Sequence, residues 1–460
     1  MADSKHLSTG FRKKLRDELA AWRAEGLVSP GQAEGLSGRY RLDDLAKESS
    51  RTLLLSIYII GAMLVAGGLV SFVAAHWDGI PAAVKVVLIV LAMLACHAAG
   101  IYLWKIRATR PGLGHALVVL GTLVFGANLG LMAQIFHIHS NYYNGFGAWA
   151  LGALAVAYAL GSVPNAFIAV VTSFIWLCGW EDHSGWAAVY YPFLAAAAFV
   201  PFICWKRSVL ITALALLAIG LGMMVGAPHG RWLEWRVIGL AAVGAGSLYA
   251  AAGLLALGRE PLRRLGRVAV FLGAVGIGAM AYALSFLDTA HELRLCSWDL
   301  FDSPWLIPVA AAAVGSIPLW VLYARAWPKA GALRPLGSCL FAGLVLLVAG
   351  IGLALAYPSN KYYMHTLAEA ADITAAILGN AAVLALAAGL IGSAMAAVDR
   401  RLFWPGILLI VLLVVSRFFE YESGLLWKAA ALLACGAGII LGGLRFESYL
   451  RQRRLADERE

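Results

Sequence analysis

The sequence predicts an all-α fold, a polytopic transmembrane bundle of about fourteen helices that follows a small N-terminal module with an amphipathic helix. Only 13% of the 460 residues are charged, against roughly 25% in soluble proteins. Apolar runs recur from Thr52 to Gly443, each near the roughly 20 residues that a helix needs to cross the hydrocarbon core. The runs are continuous and do not alternate, which excludes a transmembrane β-barrel.

The N-terminal module, residues 1–51, has the pattern of two short helices. Phe11, Leu15, Leu19 and Trp22 follow the spacing of one apolar helix face. Gly26 is a helix stop, and Ser29-Pro30 caps and starts a second helix. The basic first helix fits either the inner membrane surface or a cap packed on cytoplasmic loops. A cytoplasmic partner of this module is possible.

The transmembrane domain is predicted at residues 52–444, and a basic tail at 445–460 continues its last helix. The predicted spans are 52–75, 82–104, 113–136, 146–162, 164–180, 186–205, 208–226, 235–257, 266–287, 303–323, 335–357, 372–398, 402–419 and 423–444. The fourth and fifth are short, and only GSVPN (161–165) separates them, so a re-entrant pair is an alternative.

Basic residues orient the bundle, because Lys and Arg concentrate in cytoplasmic loops. With both termini inside, 29 of the 36 basic residues face the cytoplasm. The outer seven are Lys85, Arg231, Arg236, Arg294, Lys361, Arg417 and Lys428. The net charge of +10 is therefore assigned to cytoplasmic loops and anionic lipid headgroups, and no nucleic-acid partner is expected.

Six cysteines are scattered without CxxC spacing, so neither a disulfide framework nor a zinc cage is indicated. We expect no metal and no cofactor. No phosphate-binding loop, serine-hydrolase elbow or zinc-protease motif occurs in a suitable context.

Polar residues within apolar helices need a partner or a purpose, because burying them in hydrocarbon is costly. In the third helix Gly126 and Gly130 form a GxxxG pair with Asn128 between them. This pattern predicts a closely packed neighbouring helix and an interhelical hydrogen bond. Asn380 receives the same interpretation.

The segment QIFHIHSNYYNGF (134–146) ends the third helix at the predicted outer face. Gln134, His137 and Asn141 share one face if the helix continues that far. We expect these side chains, with Tyr142 and Asn144, to line a polar pocket. The pocket's other wall would be His76, Trp77 and Asp78, after the first span.

Three interpretations of this outer layer stay open: an ordinary aromatic belt, a pocket for sugars or lipid headgroups, and histidine ligation of metal or haem. Arg417, Glu420, Glu422 and Lys428 bracket the last outer turn, as structural ion pairs or as a relay.

Four stretches resemble a bacterial membrane-protein family known as domain of unknown function 2157. They are AAWRAEGLVSPGQAEGL (20–36), FVAAHWDGIP (72–81), LVFGANLGLMAQIFHIHSN (123–141) and SRFFEYESGLLWKAAALL (416–433). Ala133 stands where the family pattern has Gly, and His76 where it often has Asn. The resemblance covers residues 15–180 and the last two helices. It implies a multi-pass protein of the bacterial inner membrane and no established activity.

The leading functional hypothesis is a transporter-like or ligand-binding protein with an outward-facing polar site for a sugar, glycolipid or lipid headgroup, with membrane lipids as partners. One alternative is a scaffold or sensor with no transported substrate. Another is an enzyme acting on a lipid-linked substrate, with Asp78 or His137 as its base.

Overall fold

The computed structural model describes residues 9–40, 42, 79–137, 142–179, 186–225, 235–294, 304–326, 331, 334–356, 365–420 and 425–457. All regular secondary structure in these residues is helical. The α-helices are α1 Thr9–Ala24, α2 Pro30–Tyr40, α3 Ala82–Ile101, α4 Pro111–Ile135, α5 Tyr143–Leu160, α6 Val163–Cys178, α7 Trp186–Lys206, α8 Val209–Val225, α9 Trp235–Leu257, α10 Arg263–Leu284, α11 Leu287–Arg294, α12 Leu306–Ala326, α13 Arg334–Ala356, α14 His365–Ala397, α15 Arg400–Glu420 and α16 Leu425–Asp457. A π-helical turn, Tyr102–Ile106, extends α3, and a 3₁₀ turn, Glu260–Leu262, precedes α10.

Thirteen of the fourteen predicted segments coincide with described helices, α3 to α10 and α12 to α16. The first segment, 52–75, lies outside the described residues. Within the described part of the chain, eight helices are long and apolar enough to cross a membrane, judged by length and composition. They are α3 with its π-helical turn, α4, α7, α9, α10 with its preceding 3₁₀ turn, α12, α13 and α14. The all-helical, membrane-spanning fold class is thereby confirmed, and the count of fourteen spans stays a prediction.

By packing, the chain divides into two compact units, residues 1–88 and 89–460, with the division falling within α3. In the first unit α1 and α2 pack around Leu19, Ala33 and Leu42. Gly26 has a φ of 73°, a left-handed conformation in which glycine is unstrained. Ser29 and Gln32 exchange backbone-to-side-chain hydrogen bonds of 3.0 and 3.4 Å, a capping box at the start of α2. Both predicted boundaries are confirmed.

In the second unit two apolar cores occupy the bundle. One lies among α5 to α9 and α12, the other among α9 to α15. The α9–α10 pair approaches backbone to backbone through glycine: a Cβ on Gly253 would lie 2.6 Å from Val270 N, and one on Gly273 would lie 2.5 Å from Ala250 N. Close contact through small residues is how helices associate in lipid.

Two elements depart from the predicted boundaries. Helix α14 begins at His365, seven residues before the predicted start, because its polar first turns bury Ala368 and Ala371. Helix α11 occupies a stretch expected to be an outer loop. Its sequence LDTAHELR is polar on average, but Ala290 and Leu293 are buried in the second core. The tail does continue the last helix, since α16 extends to Asp457.

Candidate functional site

The predicted polar segment begins where α4 ends. The helix ends at Ile135, and the backbone N–H of Phe136 closes the last turn on the carbonyl of Met132. His137 follows in a left-handed conformation, with a φ of 52°. Gln134 and His137 are both exposed. Because the helix ends before His137, the condition for a helical face shared by Gln134, His137 and Asn141 is not met.

Two more predicted site residues lie at the start of α5. Tyr142 is 66% exposed and its ring lies 4.1 Å from that of Tyr143. Asn144 is exposed in the first turn. The remaining predicted pocket residues, His76, Trp77, Asp78 and Asn141, lie outside the described residues. The pocket formed by the 76–78 and 134–144 segments therefore stays a prediction.

The GxxxG segment of α4 has one tight position and one open one. A Cβ on Gly126 would lie 2.2 Å from the Trp149 ring of α5, while no described atom lies within 4 Å of a Cβ on Gly130. Between them Asn128 is 5% exposed, and its Nδ2 donates to the Ile89 carbonyl of α3 at 3.5 Å. An interhelical hydrogen bond is therefore present where the packing role of Asn128 needs one.

A denser polar group, here called the Arg417 cluster, joins the C-terminus of α10 to α14 and α15 and consists of Ser285, Asn380, Arg417 and Glu420. Arg417 donates through Nη1 to the Ser285 carbonyl at 2.8 Å and through Nη2 to Ser285 Oγ at 3.0 Å. It also pairs with Glu420 one turn later on α15. Asn380 Nδ2 of α14 donates to the same Ser285 carbonyl at 3.2 Å. The C-terminus of α10 is thus held by side chains from both α14 and α15.

The Arg417 cluster is largely removed from solvent. The side chains of Arg417 and Glu420 are 20% and 12% exposed. Glu420 also accepts the backbone N–H of Leu287 at 3.0 Å, which fixes the start of α11. The guanidinium carbon lies 4.4 Å from the Phe286 ring centroid, a cation–π contact. The Nε of Arg417 is buried and has no hydrogen-bond partner among the described residues.

A second charged pair lies beside this cluster. His291 Nδ1 of α11 lies within hydrogen-bond distance of Asp372 Oδ2 of α14, at 3.2 Å. Asp372 is 5% exposed, whereas the His291 side chain is 51% exposed. A buried carboxylate therefore contacts an imidazole that is itself half-exposed.

The two groups lie along one line. From residue 285 to residue 291 the chain pairs with α14 from residue 380 back to residue 372, so the Arg417 cluster and the His291–Asp372 pair follow each other along the same interface. They present amide and guanidinium donors, carboxylate and hydroxyl acceptors, and one exposed imidazole. No group of three His, Cys, Asp or Glu able to hold a metal occurs among the described residues.

Sequence reasoning found part of this site. The sequence predicts structural ion pairs or a relay among Arg417, Glu420, Glu422 and Lys428, and the Arg417–Glu420 pair is present. It also predicts the interhelical hydrogen bond of Asn380. Ser285 was missed, because serine in an apolar helix is unremarkable in a sequence. The His291–Asp372 pair was also missed, because 81 residues separate the two side chains and no local pattern connects them.

A separate polar contact, which the sequence did not indicate, joins the N-terminal ends of α4 and α6. His115 Nε2 lies 2.8 Å from Ser162 Oγ, and Ser162 caps α6 by accepting from Asn165. The His115 ring stacks on Trp104 at 4.2 Å. In GSVPN, the polar side chains of Ser162 and Asn165 therefore have a structural role, since they cap α6 and connect it to α4.

The matched family is the one that the sequence resembles. Residues 20–165 match the family model described as Predicted membrane protein (DUF2157). The resemblance is confirmed for that segment. The DUF2157 match contains the predicted residues from His76 to Asp78 and from Gly126 to Asn144, but neither the Arg417 cluster nor the His291–Asp372 pair. No curated protein and no solved structure matches the chain.

Proposed function

We propose that the chain is a transporter-like or ligand-binding protein of the bacterial inner membrane whose outward-facing polar groups hold the headgroup of a sugar-bearing or other polar lipid. The observation that carries this proposal is the position of the buried charges. Arg417 and Glu420 come together with Ser285 and Asn380, and Asp372, which contacts His291, lies eight residues before Asn380 on the same helix. Ionisable groups at membrane depth are costly, and they mark ligand or ion sites more often than other positions do.

The proposal includes the topology. About fourteen spans with both termini in the cytoplasm put 29 of 36 basic residues inside. With fourteen spans and a cytoplasmic N-terminus, the C-terminal ends of α4, α10 and α15 lie on the outer side. The Arg417 cluster and the 134–144 segment then lie at one membrane face, where a ligand arriving from outside reaches both. The charge count also assigns the predicted pocket residues His76, Trp77 and Asp78, which lie outside the described residues, to the outer side.

Lipid extraction from the purified full chain tests the proposal. The protein is purified in a sugar-free detergent, and its retained lipids are quantified by mass spectrometry. We expect enrichment of a lipid with a sugar or other polar headgroup over the bulk membrane. Asp372→Asn and Arg417→Gln lower this enrichment several-fold, because Asp372 orients His291 and Arg417 holds the Ser285 turn.

Two matched variants serve as controls. Glu369→Gln removes a carboxylate from an exposed position of α14, and Arg401→Gln removes a guanidinium from the exposed start of α15. Both retain the lipid. Wild-type protein without any enriched polar lipid, or equal loss in controls and site variants, contradicts the proposal.

A second candidate function, an enzyme acting on a lipid-linked substrate, is favoured by the 3.2 Å contact between His291 and Asp372. A histidine oriented by a carboxylate is a general base in many active sites. The same extraction separates the two functions. An enzyme whose His291→Ala variant is inactive accumulates unreacted substrate on that variant and product on the wild type, whereas a binding protein yields one lipid species from both.

A further inference from the structure

A lateral groove opens between α9, α12 and α13, with a volume of about 550 Å³. Ligand pockets typically enclose about 300–1,000 Å³. The rim consists of large apolar side chains: Val314, Ile317 and Val321 on α12, and Phe341 and Val348 on α13. All five are between 47% and 65% exposed. The groove therefore faces the hydrocarbon side of the bundle and not its interior.

The floor of the groove has a complete chain of hydrogen bonds. Trp320 Nε1 donates to Ser247 Oγ at 3.1 Å, Ser247 Oγ is 2.7 Å from Ser316 Oγ, and Ser316 Oγ donates to the Ala313 carbonyl at 2.7 Å. Ser247 and Ser316 are buried, at 4% and 3% exposure. With Trp320, Ser247 and Ser316 already paired and the exposed lining almost wholly apolar, an apolar occupant fits the groove best.

One end of the groove is basic. Arg334, Phe341 and Val348 follow one another at intervals of seven residues, so they lie in a row on one face of α13. Arg325 lies four residues beyond Val321 on α12 and so continues the groove face of that helix. Both arginine side chains are exposed. The apolar walls therefore lead, on both helices, to a guanidinium at the same end.

We propose that this groove binds one acyl chain of an anionic phospholipid, with the lipid phosphate held by Arg325 and Arg334. The length fits one leaflet. From Val314 to Ala324 the wall of α12 extends about 15 Å, half of the roughly 30 Å hydrocarbon core. Basic residues at the membrane boundary attract anionic headgroups, and basic pockets between helices bind them specifically.

A second copy of the chain fits the groove poorly. One turn of α-helix, about 10 Å across, occupies about 400 Å³, so a cavity of about 550 Å³ takes little more than one turn. Helices in lipid associate through small residues, whereas the rim presents Phe341 and four valines or isoleucines. A flexible hydrocarbon chain follows such a bulky rim, and its headgroup meets the two arginines.

Native mass spectrometry of the full chain in an uncharged detergent tests the proposal. The probes are phosphatidylglycerol and phosphatidylcholine with identical acyl chains. We expect the anionic lipid to bind more tightly. Arg325→Gln with Arg334→Gln lowers its affinity by about five-fold for each charge removed and leaves phosphatidylcholine binding unchanged. Arg264→Gln with Arg267→Gln, exposed arginines away from the groove, is the charge-matched control and leaves both lipids unchanged.

A second pair of variants tests the apolar part. Ala313→Trp fills the groove and weakens the binding of both lipids. Ala311→Trp, on the same helix but outside the groove lining, leaves the binding of both lipids unchanged. If Ala313→Trp cannot be purified, the Arg325→Gln, Arg334→Gln variant alone tests the proposal. Unchanged phosphatidylglycerol binding in the arginine variant overturns the proposal, as does quantitative Ile317→Cys disulfide dimerisation in membranes, which would assign the groove to a second copy. Asp372→Asn does not alter these affinities, so failure of the headgroup site is distinguishable.

Discussion

Gly126 and Gly130 occupy the same motif on α4 and have opposite surroundings. A side chain at Gly126 collides with the Trp149 ring, whose Nε1 donates to the Thr122 carbonyl at 2.9 Å. At Gly130 no described atom lies within 4 Å of the added carbon. The identity of a residue in a GxxxG pattern therefore matters only where a neighbour fills the space.

We predict opposite signs for the two alanine substitutions. Gly126→Ala lowers the free energy of unfolding by about 1–3 kcal/mol, the usual cost of overpacking. Gly130→Ala leaves it unchanged or raises it by up to about 1 kcal/mol, the helix preference for alanine over glycine. Denaturant titration in micelles measures both. Equal destabilisation would contradict the contact between Gly126 and Trp149.

The Arg417–Glu420 pair allows a second prediction at single side chains. Its two groups are mostly buried, so their attraction is weakly screened. Arg263 and Glu260 form an ion pair at the same i, i+3 spacing but are 54% and 86% exposed, where such pairs contribute about 0.2–1 kcal/mol.

Double-mutant cycles on the two pairs compare burial at constant sequence spacing. With Arg→Met and Glu→Gln substitutions, we expect a coupling free energy of about 1–3 kcal/mol for Arg417–Glu420 and below about 0.5 kcal/mol for Arg263–Glu260. Equal coupling energies in the two cycles would mean that water reaches the Arg417 cluster freely, against the burial described.

Between helices, α15 and α16 meet through an aromatic stack. Phe403 and Phe446 are parallel, with ring centroids 4.0 Å apart, and are 4% and 2% exposed. Phe446 lies past the predicted end of the last span, in the basic tail that was predicted to continue the last helix. The stack gives this extension of α16 a packing role.

Phe446→Ala should therefore destabilise the α15–α16 contact by about 3–5 kcal/mol, as large-to-small substitutions of buried Phe do. Leu444→Ala, at a position 61% exposed, changes stability by less than about 1 kcal/mol. Thermal unfolding of the two variants in one detergent makes the comparison. A Phe446→Ala variant as stable as Leu444→Ala would show that the tail helix does not pack there.

Helix positions were predictable from the sequence because apolar runs of membrane length have few other solutions. The exceptions have a common cause. Helix α11 and the first turns of α14 are polar on average, and single residues such as Ala290 and Ala368 are buried by tertiary contacts. The site was likewise predictable only where its residues are close in sequence. Arg417 and Glu420 lie in one predicted outer turn and were recognised, while Ser285, 132 residues from Arg417, was not.

For the whole molecule, the N-terminal module has its own small core around Leu19, Ala33 and Leu42 and contains no apolar run long enough to cross a membrane. We predict that a chain starting near Ser49 still inserts. Membrane fractionation with quantitative immunoblotting measures this, with full-length protein as the reference. Rapid degradation of the shortened chain would instead show that the module is a structural part of the bundle.

The central claim is that the buried Arg417 cluster lies at the outer end of the helices and that His291, on the same interface, is open to water there. Cysteine labelling tests it directly, in a background whose six native cysteines are replaced by serine. His291→Cys, at a side chain 51% exposed, is compared with Arg325→Cys at the opposite end. We expect a membrane-impermeant maleimide to label His291→Cys in intact cells and Arg325→Cys only after permeabilisation. The reverse order, or no labelling of His291→Cys until the protein is denatured, would contradict the claim.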